Sequence, residues 1–178
     1  MDNYTFTQKV LDAEQTLYNI AKSILIIDTD CEDAVQNAIL NAYTKLSSLK
    51  NEEYFKTWLV RILINECYKL KKRNSKFVPY EEQITADIQT LDNSEVIELY
   101  QAIMELKPKI RVAVVLFYIE GYSVNEIKDI LKIPAGTVKS RLAKGRKALK
   151  SNLSCFDSVS YTHLRAHETE LHLVCRLL

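Results

Sequence analysis

One stretch near the end of the chain combines cationic and hydroxyl side chains at helical spacing. Residues 130–150 contain lysine and arginine but no acid. Such cations release counterions from nucleic-acid phosphates, and hydroxyl groups bond to phosphates or base edges. In a helix, the apolar residues of this stretch would share one side and the polar residues the other. The polar side predicts a nucleic-acid-binding face formed by Thr137, Lys139, Ser140, Arg141, Lys144, Arg146 and Lys147.

Two short helices joined by a tight turn would position this face. Ser123 and Glu126 form a capping-box pattern, which predicts a helix that begins at Val124, and the turn follows at 132–136. The buried residues of the two helices are predicted to be Val124, Ile127, Leu131, Val138, Leu142, Gly145 and Leu149. This is a helix-turn-helix plan, in which the start of the second helix enters the major groove. The alternative is an ordinary helical hairpin with a solvated basic side, because this spacing is common in helical proteins.

Charge is segregated along the chain, although the formal net charge is only +1. A second basic block at 67–80 contains no acid, and the acidic segment that follows, up to residue 105, contains no base. Two basic blocks that flank an acidic segment predict two polyanion-binding surfaces. The alternative is a pair of solvated helix faces, although such faces usually mix both signs of charge.

The composition favours an all-α fold in one domain or two small ones. The chain has 178 residues, 47% of them hydrophobic, with only 3 Gly and 3 Pro. No apolar run is long enough to span a membrane, and the start, MDNYTFTQKVLDAEQ, lacks the apolar core of a secretory signal. The cysteines are widely spaced without a C-x-x-C pair, which favours reduced thiols in the cytoplasm over a disulfide or zinc framework.

Apolar spacing predicts three helices in the first half of the chain. The first spans about 5–27, and a break at DTDCED follows, whose aspartates suit a helix N-terminus. The second helix precedes the polar break SSLKNEE, and the third lies near 53–72. The inner face of the second helix is predicted to contain Val35, Ile39, Ala42 or Tyr43, and Leu46. The inner face of the third is predicted to contain Phe55, Leu59, Ile62, and Cys67 or Glu66.

A linker and a second helical region are predicted after the second basic block. Residues 74–93 are acidic and lack regular periodicity, so they are interpreted as a linker. A helix begins near Ser94, Pro108 opens the next helix, and Gly121 ends it. The inner residues of these two helices are predicted to be Val96, Leu99, Ile103, Leu106, Val112, Val115, Leu116 and Ile119.

The stretch GYSVNEIKDILKIPAGTVKSRLAKGRKAL closely resembles region 4 of sigma-70 family factors, particularly the extracytoplasmic-function group. The resemblance spans almost the whole helix-turn-helix pattern and implies recognition of the minus-thirty-five promoter element. Lys128 stands where the family usually has a small residue, and Lys132 where glycine often ends the first helix. A left-handed Lys132 costs about 1 kcal/mol, so a slightly strained turn is expected.

Two earlier segments resemble region 2 of the same family. DCEDAVQNAILNAYTKL is similar to the segment that docks on the clamp helices of RNA polymerase, and this implies polymerase contacts by Asp33, Gln36, Asn37 and Asn41. FKTWLVRILINECYKLKKRN is similar to the helix that recognises and opens the minus-ten element. It implies DNA contacts by Lys56, Arg61, Asn65, Lys69, Lys71, Lys72 and Arg73. The preceding loop, 47–53, and Tyr54 could hold an expelled base, whereas Trp58 is interpreted as a core residue.

The resemblance implies a promoter-specificity subunit with region 2 at 5–73, an acidic linker at 74–93 and region 4 at 94–153. Its partners would be core RNA polymerase, promoter DNA and an anti-sigma factor of the kind common in the family. It implies no catalytic residue, metal or cofactor and no membrane insertion, since the polymerase performs the chemistry. The alternative is a stand-alone helix-turn-helix regulator. That alternative predicts a dimer on palindromic sites and leaves both region 2 segments unexplained.

The tail after Leu153 does not fit this pattern. It contains His163 and His167 at a spacing of one helical turn, which offers a zinc-dependent hydrolase as a third hypothesis. The full set of ligands at fixed spacing is missing. SYTHLRAHET resembles a read-through tail from vector or adapter sequence. We therefore interpret 154–178, and 157–178 above all, as foreign to the functional chain.

Overall fold

The computed structural model of the chain describes residues 1–74 and 94–153; the linker from residue 75 onward and the tail with its histidines lie outside these ranges. The helices are α1 (Asn3–Leu25), α2 (Asp28–Thr44), α3 (Phe55–Asn74), α4 (Ser94–Glu105), α5 (Pro108–Val114), α6 (Val124–Leu131) and α7 (Ala135–Leu153). The chain divides into two compact units, the first centred on α1–α3 and the second on α5 and α7. The predicted all-α class with two small helical domains is confirmed.

The first unit is a three-helix bundle in which each helix packs against the other two. Our prediction for the inner face of α2 was correct for Ala42 and wrong for the rest, because Val35 and Ile39 are only half-buried and Tyr43 is exposed. Leu46, also predicted on this face, lies beyond the helix in the turn Leu46–Ser48 and is half-buried. The fully buried residues of α2 are Cys31, Ala34, Ala38 and Ala42. Small side chains let helix backbones approach closely, so the close packing of α2 selects them over larger apolar residues.

The break between α1 and α2 is shorter than DTDCED and consists of Ile26 and Ile27. Ile26 has φ 72° and ψ −49°, and the Ile27 N–H donates to the Leu25 carbonyl at 2.9 Å, which is the geometry of a γ-turn. Asp28 therefore lies in the first turn of α2 and does not cap it. Its carboxylate accepts hydrogen bonds from the Tyr18 hydroxyl and the Lys22 amine, which ties the two helices together.

Helix α3 buries a broad face because it contacts both α1 and α2. The predicted inner residues Phe55, Leu59 and Cys67 are buried, whereas Ile62 is half-buried. The additional buried residues are Val60, Leu63, Ile64 and Leu70. Two 3₁₀ turns, Leu46–Ser48 and Glu52–Tyr54, form the predicted polar break before this helix.

The second unit starts with α4 and α5, as predicted. Pro108 opens α5, and Gly121, with φ 73°, follows its end. A π-helical turn, Val115–Ile119, continues α5 and was not predicted. Because the wider turn shifts the side-chain register, it buries Tyr118 and leaves Ile119, predicted as an inner residue, half-buried. The predicted inner residues Ile103, Leu106, Val112, Val115 and Leu116 are buried, and Leu99 is half-buried. The side chain of Val96, also predicted as an inner residue, lies outside the described part of the chain.

Helices α6 and α7 form the predicted helix-turn-helix. The Ser123 N–H donates to Glu126 Oε2 at 2.8 Å, and the Glu126 N–H donates to Ser123 Oγ at 3.2 Å, so the capping box is confirmed. Lys132 has φ 54°, as expected for a left-handed cap. Helix α7 begins at Ala135, so the turn is shorter than predicted. The inner face of α7, consisting of Val138, Leu142, Gly145 and Leu149, is buried as predicted. In α6 the buried residues are Ile127 and Ile130, whereas Val124 and Leu131 are half-buried.

Candidate nucleic-acid interfaces

The outer face of α7 is cationic and accessible. Its exposed members are Lys139, Ser140, Lys144, Arg146 and Lys147, and its half-buried members are Thr137 and Arg141. The helix contains no acidic residue, and the cationic face begins in its first turn, at Thr137. The positive end of the helix dipole therefore adds to the field of the side chains. This arrangement suits a phosphate backbone and neighbouring base edges.

Two contacts fix α7 against α5 and its continuation. A Cβ on Gly145 would lie 2.5 Å from Val114 Cγ2, which real atoms do not tolerate, so the glycine allows the two helices to approach closely. The Arg146 guanidinium donates to the Tyr118 hydroxyl at 2.9 Å, and this bond fixes the direction of the arginine. The π-helical turn thus positions one residue of the cationic face.

The first unit has a second cationic face along α3. At about 100° per residue, Arg61, Asn65, Lys69 and Lys72 fall on one side of the helix, and all are exposed. Together with the end of α2 this side forms an open concavity of about 420 Å³. Its lining consists of Lys45, Ile62, Asn65, Glu66, Tyr68, Lys69 and Lys72. Glu66 pairs with Lys69 at 2.6 Å and reduces the local positive charge.

The remaining region 2 candidates do not all join this face. Lys71 is half-buried, and its amine donates to the Ile24 carbonyl at 3.3 Å, so it stabilises the end of α1. Lys56 is exposed but lies about half a turn away from Asn65 around the helix. Arg73 is exposed at the edge of the face. Trp58, predicted as core, is only half-buried, with its ring centroid 6.1 Å from that of Phe55.

Sequence reasoning missed Tyr68 and Lys45 in the concavity of the first unit. Tyr68 is 42% exposed and stands one helical turn before Lys72. An aromatic residue between basic residues at this spacing is the signal that could have identified it. Lys45 follows the end of α2, so its proximity to α3 depends on tertiary packing and is not visible in the sequence.

A separate polar surface lies on α2. Asp33, Gln36 and Asn37 are exposed and Asn41 is half-buried, so the predicted residues share one accessible side. Leu40 lies among them and is 62% exposed. The sequence prediction for this surface included only polar residues and therefore missed it.

The cysteines of this bundle are not reactive groups. Cys31 and Cys67 are free and buried, and burial raises the pKa of each thiol to about 12. Within residues 1–74 and 94–153, no group of histidine, cysteine and carboxylate side chains is arranged to hold a metal ion. No helix in these ranges has the length and hydropathy needed to cross a membrane.

Comparison with known proteins gives matches for two separate parts of the chain. The family model for Sigma-70 region 2 matches residues 10–77, and the model for Sigma-70, region 4 matches residues 97–149. The sigma factor SigW of Bacillus subtilis, which belongs to the extracytoplasmic-function group, is 32% identical over 171 residues, covering 85% of this chain and 90% of SigW. SigM of Mycobacterium tuberculosis, from the same group, is 30% identical over 150 residues, covering 83% of this chain and 76% of SigM.

Solved structures share the fold. The sigma factor RpoE of Bartonella quintana, solved in complex with the anti-sigma factor NepR, superposes with a TM-score of 0.70 at 27% identity, covering 85% of this chain and 98% of RpoE. CnrH, solved in complex with the cytosolic domain of CnrY, superposes with a TM-score of 0.66 at 23% identity, covering 88% of this chain and 92% of CnrH.

The chain therefore belongs to the sigma-70 family and, within it, to the extracytoplasmic-function sigma factors. Sigma factors of this family direct RNA polymerase to promoters and initiate transcription. Because both halves of the chain match sigma regions, the stand-alone helix-turn-helix regulator is not favoured.

Proposed function

We propose that this sigma factor distributes its contacts over three surfaces: α2 for core RNA polymerase, the outer face of α3 for the minus-ten element and the outer face of α7 for the minus-thirty-five element. The observation that carries the proposal is the exposed cationic face of α7, which contains no acid and lies on a capped helix-turn-helix. We also propose that the protein acts in the cytoplasm and has no catalytic role of its own, since the polymerase forms the phosphodiester bonds.

The minus-thirty-five contacts would be of two kinds, contacts to base edges inside the major groove and contacts to phosphates. Thr137, Lys139, Ser140 and Arg141 lie in the first two turns of α7, where side chains reach base edges in the major groove. The basic residues of the following turns, Lys144, Arg146 and Lys147, would contact phosphates. The Tyr118 hydroxyl keeps Arg146 in a fixed direction, which reduces the entropy that it loses on binding.

The minus-ten contacts would use the concavity of the first unit. Tyr68 offers a partly exposed ring for stacking on an unpaired base, and Asn65 offers an amide for a base edge. Lys45, Lys69 and Lys72 surround them with positive charge for the phosphates. Arg61, Arg73 and Lys56 would extend the phosphate contacts along the strand. Lys71 would contribute indirectly, because it stabilises the end of α1.

The surface on α2 would bind core polymerase through Leu40 and the surrounding residues Asp33, Gln36, Asn37 and Asn41. An exposed leucine at the centre of polar side chains matches the usual plan of an interface, with an apolar centre and a polar rim. RpoE and CnrH were both solved with partner proteins, and RpoE's partner is an anti-sigma factor. We extend this to an anti-sigma partner that competes for the same surface of this chain.

Substitution of Lys144 by alanine tests the assignment of α7. A lost phosphate contact weakens promoter binding by the assembled polymerase about threefold to tenfold and lowers the salt slope by about one. Footprinting at several salt concentrations measures both quantities. The control is Lys109→Ala, which removes an exposed lysine from α5 outside this face. Equal effects of the two substitutions would contradict the assignment.

A further inference from the structure

We propose that Lys9 is a positioning residue for promoter selection, which holds the segment 45–54 between α2 and α3 in the arrangement that minus-ten DNA requires. The inference rests on the proposed function, which assigns to the minus-ten element a concavity whose lining includes Lys45, the first residue of this segment. Lys9 lies on α1, far away in sequence, and neither the family resemblance nor the charge pattern assigns it a role.

Three contacts converge on the Lys9 ammonium. It donates to the backbone carbonyl of Glu52 at 3.2 Å and lies 3.9 Å from the Glu52 carboxylate. It also lies 5.7 Å from the ring centroid of Phe55, the first residue of α3, which is a cation–π distance. One side chain therefore connects α1 to the last turn of the segment and to the start of α3.

The hydrogen bonds inside the segment are short-range. The Ser48 hydroxyl donates to the Lys45 carbonyl at 2.7 Å. The Glu53 N–H donates to Asn51 Oδ1 at 3.0 Å. Such bonds shape each turn but do not fix its place relative to the bundle. The long-range contacts that Glu52 makes with Lys9 and with the amine of Met1 supply that constraint at the end that joins α3, and of these two Lys9 alone also binds the Glu52 backbone carbonyl and the Phe55 ring.

The partial exposure of Lys9 and Glu52 indicates that their contact positions the segment more than it stabilises the fold. The side chains of Lys9 and Glu52 are 34% and 50% exposed, and ion pairs at such positions add little to the stability of a fold. Binding groups, however, must be held close to their productive geometry by supporting contacts. We therefore expect the loss of Lys9 to alter the arrangement of the segment without unfolding the bundle.

The experiment compares the full chain with Lys9→Met and Lys9→Arg. Methionine keeps the apolar stem without the charge, and arginine keeps both the charge and the donors. Lys9 is chosen over Glu52 because the amine of Met1 also lies 3.0 Å from the Glu52 carboxylate. The control for net charge is Lys109→Met, which removes an exposed lysine from α5.

Each protein is mixed with core polymerase and supplied with two promoter libraries, one randomised at the minus-ten element and the other at the minus-thirty-five element. Lys9→Met should lower the enrichment of preferred minus-ten bases roughly threefold to tenfold. This range is what the loss of one partly exposed, charge-assisted hydrogen bond would cause. Enrichment at the minus-thirty-five element should stay unchanged. Lys9→Arg should restore the minus-ten preference, and Lys109→Met should behave as wild type.

Amide hydrogen exchange of the free protein tests the anchor without DNA. In Lys9→Met, segment 45–54 should exchange several-fold faster, while the interiors of α1 and α3 exchange as in wild type. Unchanged exchange, unchanged minus-ten enrichment or equal losses at both elements would overturn the inference. If the wild-type protein enriches no sequence in either library, the proposed function itself fails. The two failures are distinguishable, because the inference about Lys9 is judged only from the difference between wild type and the variants.

Discussion

Gly145 lies where α7 comes closest to α5, and the structure leaves no room there for a larger side chain. Substitution by alanine would place Cβ 2.5 Å from Val114 Cγ2 and 3.3 Å from Ile110 Cγ2. Overpacking of this kind costs about 1–3 kcal/mol, which exceeds the gain of up to about 1 kcal/mol from the better helix propensity of alanine. Gly145→Ala should therefore lower the free energy of unfolding measured with urea.

Gly136 provides a matched control on the same helix. A Cβ there would meet no atom within 4 Å, so Gly136→Ala should leave stability unchanged or raise it slightly. Adding Val114→Ala to Gly145→Ala should recover part of the loss, because it removes the colliding methyl groups. Equal stabilities of the two alanine variants would show that helix spacing is not set by Gly145.

The buried thiols of the first unit predict a pH dependence of stability. Burial raises the pKa of Cys31 and of Cys67 from an ordinary value of 9.0 to about 12. The folded state thus holds these protons more tightly than the unfolded state. Their contribution to stability is complete below about pH 9 and is lost as the pH rises from about 9 toward about 12. Urea unfolding at about pH 8 and about pH 10 should show lower stability at the higher pH.

Replacing both thiols checks the cause of this dependence. The double variant Cys31→Ala, Cys67→Ala should lose stability less steeply over the same pH interval, whatever its stability at neutral pH. A slope equal to that of wild type would mean that other groups, such as Tyr18, cause the dependence.

The junction between α6 and α7 contains a non-glycine residue in the left-handed region. Lys132 has φ 54° and an exposed side chain, so Lys132→Gly relieves strain without the loss of buried contacts. The expected gain in the free energy of unfolding is about 1 kcal/mol. Lys128→Gly, inside α6, is the control and should cost about 1 kcal/mol. If both substitutions destabilise the protein, the turn is not strained at Lys132.

The elements show where sequence reasoning succeeds. The inner face of α7 was predicted correctly because Val138, Leu142 and Leu149 are the large apolar residues between positions 135 and 150, and they share one side of a helix. The capping box at Ser123 was also predicted correctly, because a cap depends on residues only three positions apart. Such features are local and survive in any tertiary context.

The same reasoning failed where tertiary packing determines which residues are buried. On α2, hydrophobicity ranks Val35 and Ile39 above alanine, but the close contact of three helices selects Ala34 and Ala38 for burial. The π-helical turn after α5 has no pattern of its own in the sequence. Among the site residues, Lys71 was assigned to the DNA contacts on the resemblance and its charge. Only the fold shows that its amine contacts the Ile24 carbonyl.

Considered as a whole, the molecule combines a formal net charge of +1 with cationic faces in both of its units. An almost neutral chain has little general attraction to nucleic acid, so its affinity for DNA depends on these faces being presented together. Polymerase that carries the sigma factor would position both of them on one promoter.

Transcription in vitro from a pool of promoters, with the full chain added to bacterial core polymerase, tests the central claim most directly. We expect initiation at a defined subset of promoters that share a minus-ten and a minus-thirty-five element at a fixed spacing. If the polymerase is neither bound nor redirected while the protein still binds duplex DNA, the assignment of this chain as an active sigma factor would be contradicted.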